Sequence, residues 1–306
     1  MTTTAHEDES DRPQRARRPW HRTKVAVGLV LLVTAVVAII GALTPWPSAM
    51  LIRSVFTKGG DETAAEMEKH VPDTALTEQL DVAYADGGAD TTMDVFTPAS
   101  ATGPLPTVVW IHGGAWISGS KENVDPYMRI LAAEGYTTIA VNYTIGPEGE
   151  YPLAVHQLND ALAYIDAHAD ELNVDPNQIV LAGDSAGGQL ASQMATLMTS
   201  PDYAEIMGIT PALKAEQVVA TVLNCGVYDL AALAALDGVV GWGLKTSMWA
   251  YAGTKTWAES STGSTMSTID WVTEDFPTTY ISGGNGDGLT WLCLLYTSDA
   301  ADDSLR

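Results

Sequence analysis

Basic side chains are scarce. The 306 residues hold 15 Lys and Arg against 38 Asp and Glu, a formal net charge of −23. A surface that tracks phosphates needs clustered cations, so the acidic balance argues against nucleic acid as a partner. Cysteine is rarer still: two residues, Cys225 and Cys293, cannot make a disulfide framework. Metal-ligand spacing, a phosphate loop and a dinucleotide fingerprint are all missing, so neither metal nor cofactor is expected. Internal repeats and low-complexity tracts are missing too. With 46% hydrophobic residues the chain is not a disordered tail, and its length suits one large α/β domain or two small ones.

The charge is unevenly placed. Residues 1–24 hold six basic and four acidic residues, net +2, whereas the remainder holds nine and 34, net −25. Between them, Val25 to Leu43 is an unbroken apolar run in which Thr34 is the only polar side chain. As a helix this run is roughly 29 Å long, the thickness of a bilayer's hydrocarbon core. Arg12, Arg15, Arg17, Arg18, Arg22 and Lys24 precede it, and Trp20 and Trp46 flank it. These features predict an uncleaved membrane anchor with a cytoplasmic N-terminus and a body outside the membrane. The competing reading is a signal peptide cleaved after Pro-Ser-Ala at 47–49, although secretory apolar regions are shorter. Residues 44–78, opened by Pro45 and Pro47, read as a stem or leading helix.

From about residue 79 to 292 the pattern is that of an α/β domain. Thr107–Ile111, Thr137–Val141, Ile179–Ala182, Val218–Leu223 and Thr278–Ile281 are continuous, β-branched apolar runs, as expected for strands covered on both faces. Helical patterns lie around 124–134, 153–168 and 188–199, which implies a mainly parallel sheet with helices on both sides. Stretches 80–85 and 91–97 alternate more and suit an antiparallel edge. In such a sheet ligands sit beyond the carboxyl ends of the strands.

Two motifs fall at those ends. Gly183-Asp184-Ser185-Ala186-Gly187-Gly188 follows one strand and opens a helix, the context in which G-x-S-x-G makes a tight turn exposing its serine. His112-Gly113-Gly114-Ala115-Trp116 ends another strand, well before Ser185 in the chain. The N–H groups of Gly113, Gly114 and Ala186 are the expected oxyanion donors. His112 is expected to pin its loop rather than carry protons, and Cys225 to be inert packing in a buried strand.

HGGAW followed by GDSAGG resembles the α/β-hydrolase fold, and more narrowly the hormone-sensitive-lipase-like carboxylesterases, over roughly residues 80–291. The resemblance implies an acyl-enzyme mechanism at Ser185 on a small ester substrate, under a small helical cap. That cap would be formed by N-terminal helices and the segment holding Trp242, Met248, Trp249 and Trp257. Ala115 stands where the commonest family form has a third glycine, and is expected to narrow the pocket mouth. Asp287, in Ser282-Gly283-Gly284-Asn285-Gly286-Asp287-Gly288-Leu289, matches the family's acid loop. The family order Ser, Asp, His then requires a histidine beyond Asp287. All six histidines (6, 21, 70, 112, 156 and 168) precede it, and none stands between it and Arg306. Residues 293–306 fit no helix of the family and read as a translated adaptor tail, with the histidine-bearing end lost. A chain without that base is expected to hydrolyse feebly. A non-catalytic surface binding module and an exported amidase or peptidase are the alternatives.

Overall fold

A computed structural model of the protein describes residues 20–283. Two units follow one another along the chain, residues 1–44 and 45–306. In the first, α1 (Trp20–Leu43) contains a stretch, Lys24–Leu43, of mean hydropathy 2.8, long and apolar enough to cross a membrane.

The second unit is built on a seven-stranded sheet. Its strands are β1 (Leu76–Ala83), β2 (Thr92–Pro98), β3 (Leu105–Ile111), β4 (Thr137–Val141), β5 (Val174–Asp184), β6 (Val218–Asn224) and β7 (Thr278–Ser282). Their order in space is β1-β2-β4-β3-β5-β6-β7. β1 and β2 form the antiparallel edge, and β3 to β7 run parallel. All five strands expected from the apolar runs are present, along with the alternating edge pair.

The helices are α2 (Trp46–Met67), α3 (Asp125–Ala133), α4 (Leu153–Ala167), α5 (Ala186–Thr199), α6 (Pro201–Met207), α7 (Leu230–Ala234), α8 (Gly238–Ala252) and α9 (Ser261–Met266). Successive strand residues point to opposite faces, which explains the continuous apolar runs. Val109, Ile111, Ile139, Val141 and Leu181 enter the larger core with Leu158 of α4 and Leu190 and Met194 of α5. The intervening Trp110, Ala140 and Ala182 enter a smaller core with Met128 and Ala132 of α3. Both faces are covered, and only the carboxyl ends of the strands are left for a site.

The leading helix α2 lies on this unit. Ala49 and Ile52 are buried in the larger core, and Arg53 reaches across to the loops after β3 and β4. Its guanidinium donates to the carbonyls of Ile117 and Gly146 and pairs with Glu148, with Nη1 to Oε1 at 2.8 Å. α2 also packs against α3 and α8.

Candidate active site

Sheet register explains why two motifs far apart in the sequence meet. Ile111 of β3 pairs with Gly183 of β5, and Asp184 with Asn224 of β6. The chains leaving β3 and β5 are therefore neighbours at the same end of the sheet. β7 ends there too, with Ser282 opposite Asn224 and its hydroxyl donating to Asn224 Oδ1 at 2.7 Å.

The turn from β5 into α5 carries Ser185 with φ 52° and ψ −118°. This left-handed backbone is costly for a non-glycine residue and is held by its surroundings. The Ser185 N–H donates to the carbonyl of Asn224 at 2.7 Å, and the serine then stands as the N-cap of α5. Gly187 makes the close approach possible: a Cβ there would lie 2.0 Å from the Ile111 carbonyl and 2.5 Å from that of His112. The Ser185 hydroxyl has no hydrogen-bond partner among the described residues, and it faces a cleft of about 620 Å³.

The loop after β3 makes the adjoining wall. Gly114, Ala115 and Trp116 have φ of 113°, 53° and 60°, three successive left-handed residues. At Gly114 a Cβ would come within 2.2 Å of the Ser118 carbonyl, so only glycine fits. Ala115 pays the left-handed cost of a Cβ, and its methyl is buried in the core instead of narrowing the cleft as expected.

Asp184 locks the two loops together. It accepts from Trp110 Nε1 at 3.0 Å and from the Gly113 N–H at 3.2 Å. Burial raises its pKa above the usual carboxylate value, and these two donors oppose the rise. One expected oxyanion donor, the Gly113 N–H, is thus turned toward Asp184, because the Ile111–Gly183 register puts that carboxylate beside the loop. The N–H groups of Gly114, Ala115 and Ala186 have no protein acceptor among the described residues. Ala186 is the first residue of α5, where N–H groups lack intrahelical partners and the dipole end is positive.

His112 holds the loop from inside. Its ring stacks on Tyr143, centroids 4.4 Å apart, and the Tyr143 hydroxyl donates to the His112 carbonyl at 2.9 Å. Nδ1 lies 2.9 Å from the Gly113 carbonyl, so it carries the proton and Nε2 is an acceptor. Burial lowers the pKa to about 4, so the imidazole is neutral at pH 7. His156 is exposed on α4, and His168 stacks on Tyr164 at that helix's end.

The opposite wall of the cleft comes from α2, through Val55, Phe56, Gly59, Gly60, Thr63 and Met67. This lining was legible in the sequence only as a general expectation that N-terminal helices take part in a cap. The tryptophan-rich segment does not share it. Trp242, Trp249 and Trp257 line a separate cleft of about 390 Å³, and Met248 is core. Cys225 also differs from expectation. It lies just past β6, half-buried with φ 52°. Asp287 lies outside the described residues.

The BD-FAE family profile matches residues 93–293. Carboxylesterase NlhH of Mycobacterium tuberculosis is 37% identical over 121 residues, 39% of this chain and 38% of that protein. The acetyl esterase of Salmonella typhi is 30% identical over 142 residues, 46% of this chain and 40% of that protein. The matched stretches thus span less than half the length of either relative. The crystal structure of esterase B from Lactobacillus rhamnosis superimposes with a TM-score of 0.68 at 22% identity, covering 84% of this chain and 82% of that one. A parallel sheet, a strained serine between β5 and α5 and a glycine loop beside it accord with these likenesses: the chain has the α/β-hydrolase fold and belongs to the BD-FAE family.

Proposed function

We propose that the protein hydrolyses carboxylic esters through an acyl-enzyme on Ser185. The observation that carries this reading is the juxtaposition, in one cleft, of a serine in a strained left-handed turn with Gly114, whose N–H has no protein acceptor among the described residues. Ser185 Oγ attacks the ester carbonyl. The developing oxyanion is held by the N–H groups of Gly114 and Ala186, with Ala115 beside them and Gly113 kept on Asp184 as the loop's fastening. Preorganisation matters here because these donors are fixed before the charge forms. The Asp184 and His112 contacts supply that fixation.

In the order Ser, Asp, His the proton acceptor for Ser185 is a histidine beyond Asp287, which the 306 residues do not contain, and Asp287 is the carboxylate that orients it. His112 is a poor substitute, because its ring is buried and its pKa is low. The lining of Val55, Phe56 and Met67 favours an apolar acyl group over a charged one. α1 is the membrane anchor in this reading, with the hydrolase unit outside the cytoplasmic membrane.

The test is turnover of p-nitrophenyl butyrate by the protein encoded at the genomic locus, alongside its Ser185→Ala variant. The expected loss in kcat/KM is on the order of 10³-fold or more. Retained turnover would remove Ser185 as nucleophile, and turnover of anilides at the same rate would turn the reading to an amidase.

A further inference from the structure

Exposed apolar side chains are not scattered evenly over the hydrolase unit. Thirteen large ones stand exposed among its described residues, and seven of these belong to two helices that pack on each other. α2 contributes Trp46, Leu51, Val55 and Phe56, and α8 contributes Val239, Val240 and Trp242. Val239 is 84% and Val55 67% exposed, more than burial in a finished core would leave. Isolated apolar side chains on a surface are ordinary, but a concentration on adjoining helices marks a contact.

Charge follows the same boundary. Residues 46–58 and the whole of α8 lack Asp and Glu altogether, while Arg53, Lys58 and Lys245 are present. The gap stands out against the 34 acids spread over residues 25–306. The nearest carboxylate to α8 in sequence, Asp237, sits just outside it. A body of net −25 is repelled by an anionic lipid surface wherever its carboxylates face it. The acid-free stretch is where it can approach.

The chain also ties the start of α2 to the candidate span. Only Thr44 and Pro45 separate the candidate span from α2, and two residues reach about 7 Å at most. We infer that the exposed apolar side chains of α2 and α8 form a docking face for the bilayer that holds the protein's own N-terminal helix. Val55 and Phe56 belong to this face and also line the Ser185 cleft. The cleft therefore opens beside lipid, and esters dissolved in the outer leaflet reach Ser185 without crossing water. This inference rests on the reading of α1 as a membrane anchor.

The test uses the full chain in phosphatidylcholine vesicles containing doxyl-labelled lipid. Cysteine is introduced singly by Val240→Cys, Val55→Cys or Val219→Cys, with Cys225→Ser and Cys293→Ser removing background label, and each is coupled to an environment-sensitive nitrobenzoxadiazole. Val219 is exposed at the start of β6, the end of the sheet away from Ser185, and serves as the reference. All three sites are exposed, so the labels do not disturb the core, and each variant must keep the unfolding transition of the unlabelled chain. Docking predicts that the labels at 55 and 240 shift to the blue and are quenched by doxyl lipid, while that at 219 stays in water. Vesicle flotation is measured in parallel. A chain that floats with all three labels in water keeps the anchor and overturns the docking face. A chain that does not float overturns both.

Discussion

At the scale of single residues, the site depends on buried polar groups whose partners are far away in sequence. His112 is neutral in the fold, with a pKa lowered from 6.5 to about 4 by burial. An unfolded chain takes up a proton on this ring below pH 6.5, whereas the folded one does so only near pH 4. Its contribution to stability is therefore complete above 6.5 and lost as pH falls toward 4, by up to ~3 kcal/mol. Urea unfolding of His112→Asn should show a shallower loss over that interval than the parent, whatever constant offset the substitution adds. Lys121 is a second case. Its side chain is 2% exposed and lies 2.8 Å from both Asp94, itself 2% exposed, and Asp81, with Glu122 at 3.1 Å. Burial opposes its charge, but these carboxylates outweigh that and hold the ammonium protonated. Lys121→Met leaves Asp94 buried without a counterion and should cost about 3–5 kcal/mol in denaturant unfolding. Neither arrangement could be read from the sequence. His112 was legible as a loop pin through its glycines, but Tyr143 and Asp94 enter only because the β2–β4–β3 pairing brings them close.

Elements were easier to read than their placement. The five continuous apolar runs and the G-x-S-x-G turn became strands and elbow as periodicity implied, because burial on two faces leaves a simple signature. α2 falls in the stretch whose sequence suits a stem or leading helix. Its seat on the α/β unit depends on Arg53 and on carbonyls at 117 and 146, which no local pattern announces. Arg53→Ala should cost about 2 kcal/mol through lost charged hydrogen bonds. It should also expose α2 to protease ahead of the rest of the unit, and equal cleavage in both proteins would show that other contacts hold the helix. The glycines of α2 have a different purpose. Gly59 lines the cleft, and a Cβ there meets nothing within 4 Å. Gly59→Leu removes a helix-weakening residue, worth up to about 1 kcal/mol, yet it fills the α2 side of the cleft, where the proposed function seats the acyl group. We expect a raised unfolding midpoint together with a fall in kcat/KM that grows from acetate to octanoate esters. An unchanged chain-length profile would place the acyl group elsewhere.

For the whole molecule, the net charge of −23 describes two parts, a basic arm before an apolar helix and an acidic α/β unit after it. The sheet turns its strands' carboxyl ends into one site, and the Ile111–Gly183 and Asp184–Asn224 pairings set its geometry. The turn at Ser185 and the glycine loop after β3 were legible because both motifs demand glycines where backbones nearly touch. The cap was legible only in part: tryptophan content pointed to 242–257, whereas small residues on α2 made room for the cleft. If Ser185 is the nucleophile, it becomes covalently acylated, and a fluorophosphonate should modify it in the same way. Peptide mass mapping of the treated protein encoded at the genomic locus should find one adduct, on the peptide carrying Ser185, and none in Ser185→Ala; an unmodified Ser185 peptide in a protein that hydrolyses esters would remove Ser185 as nucleophile.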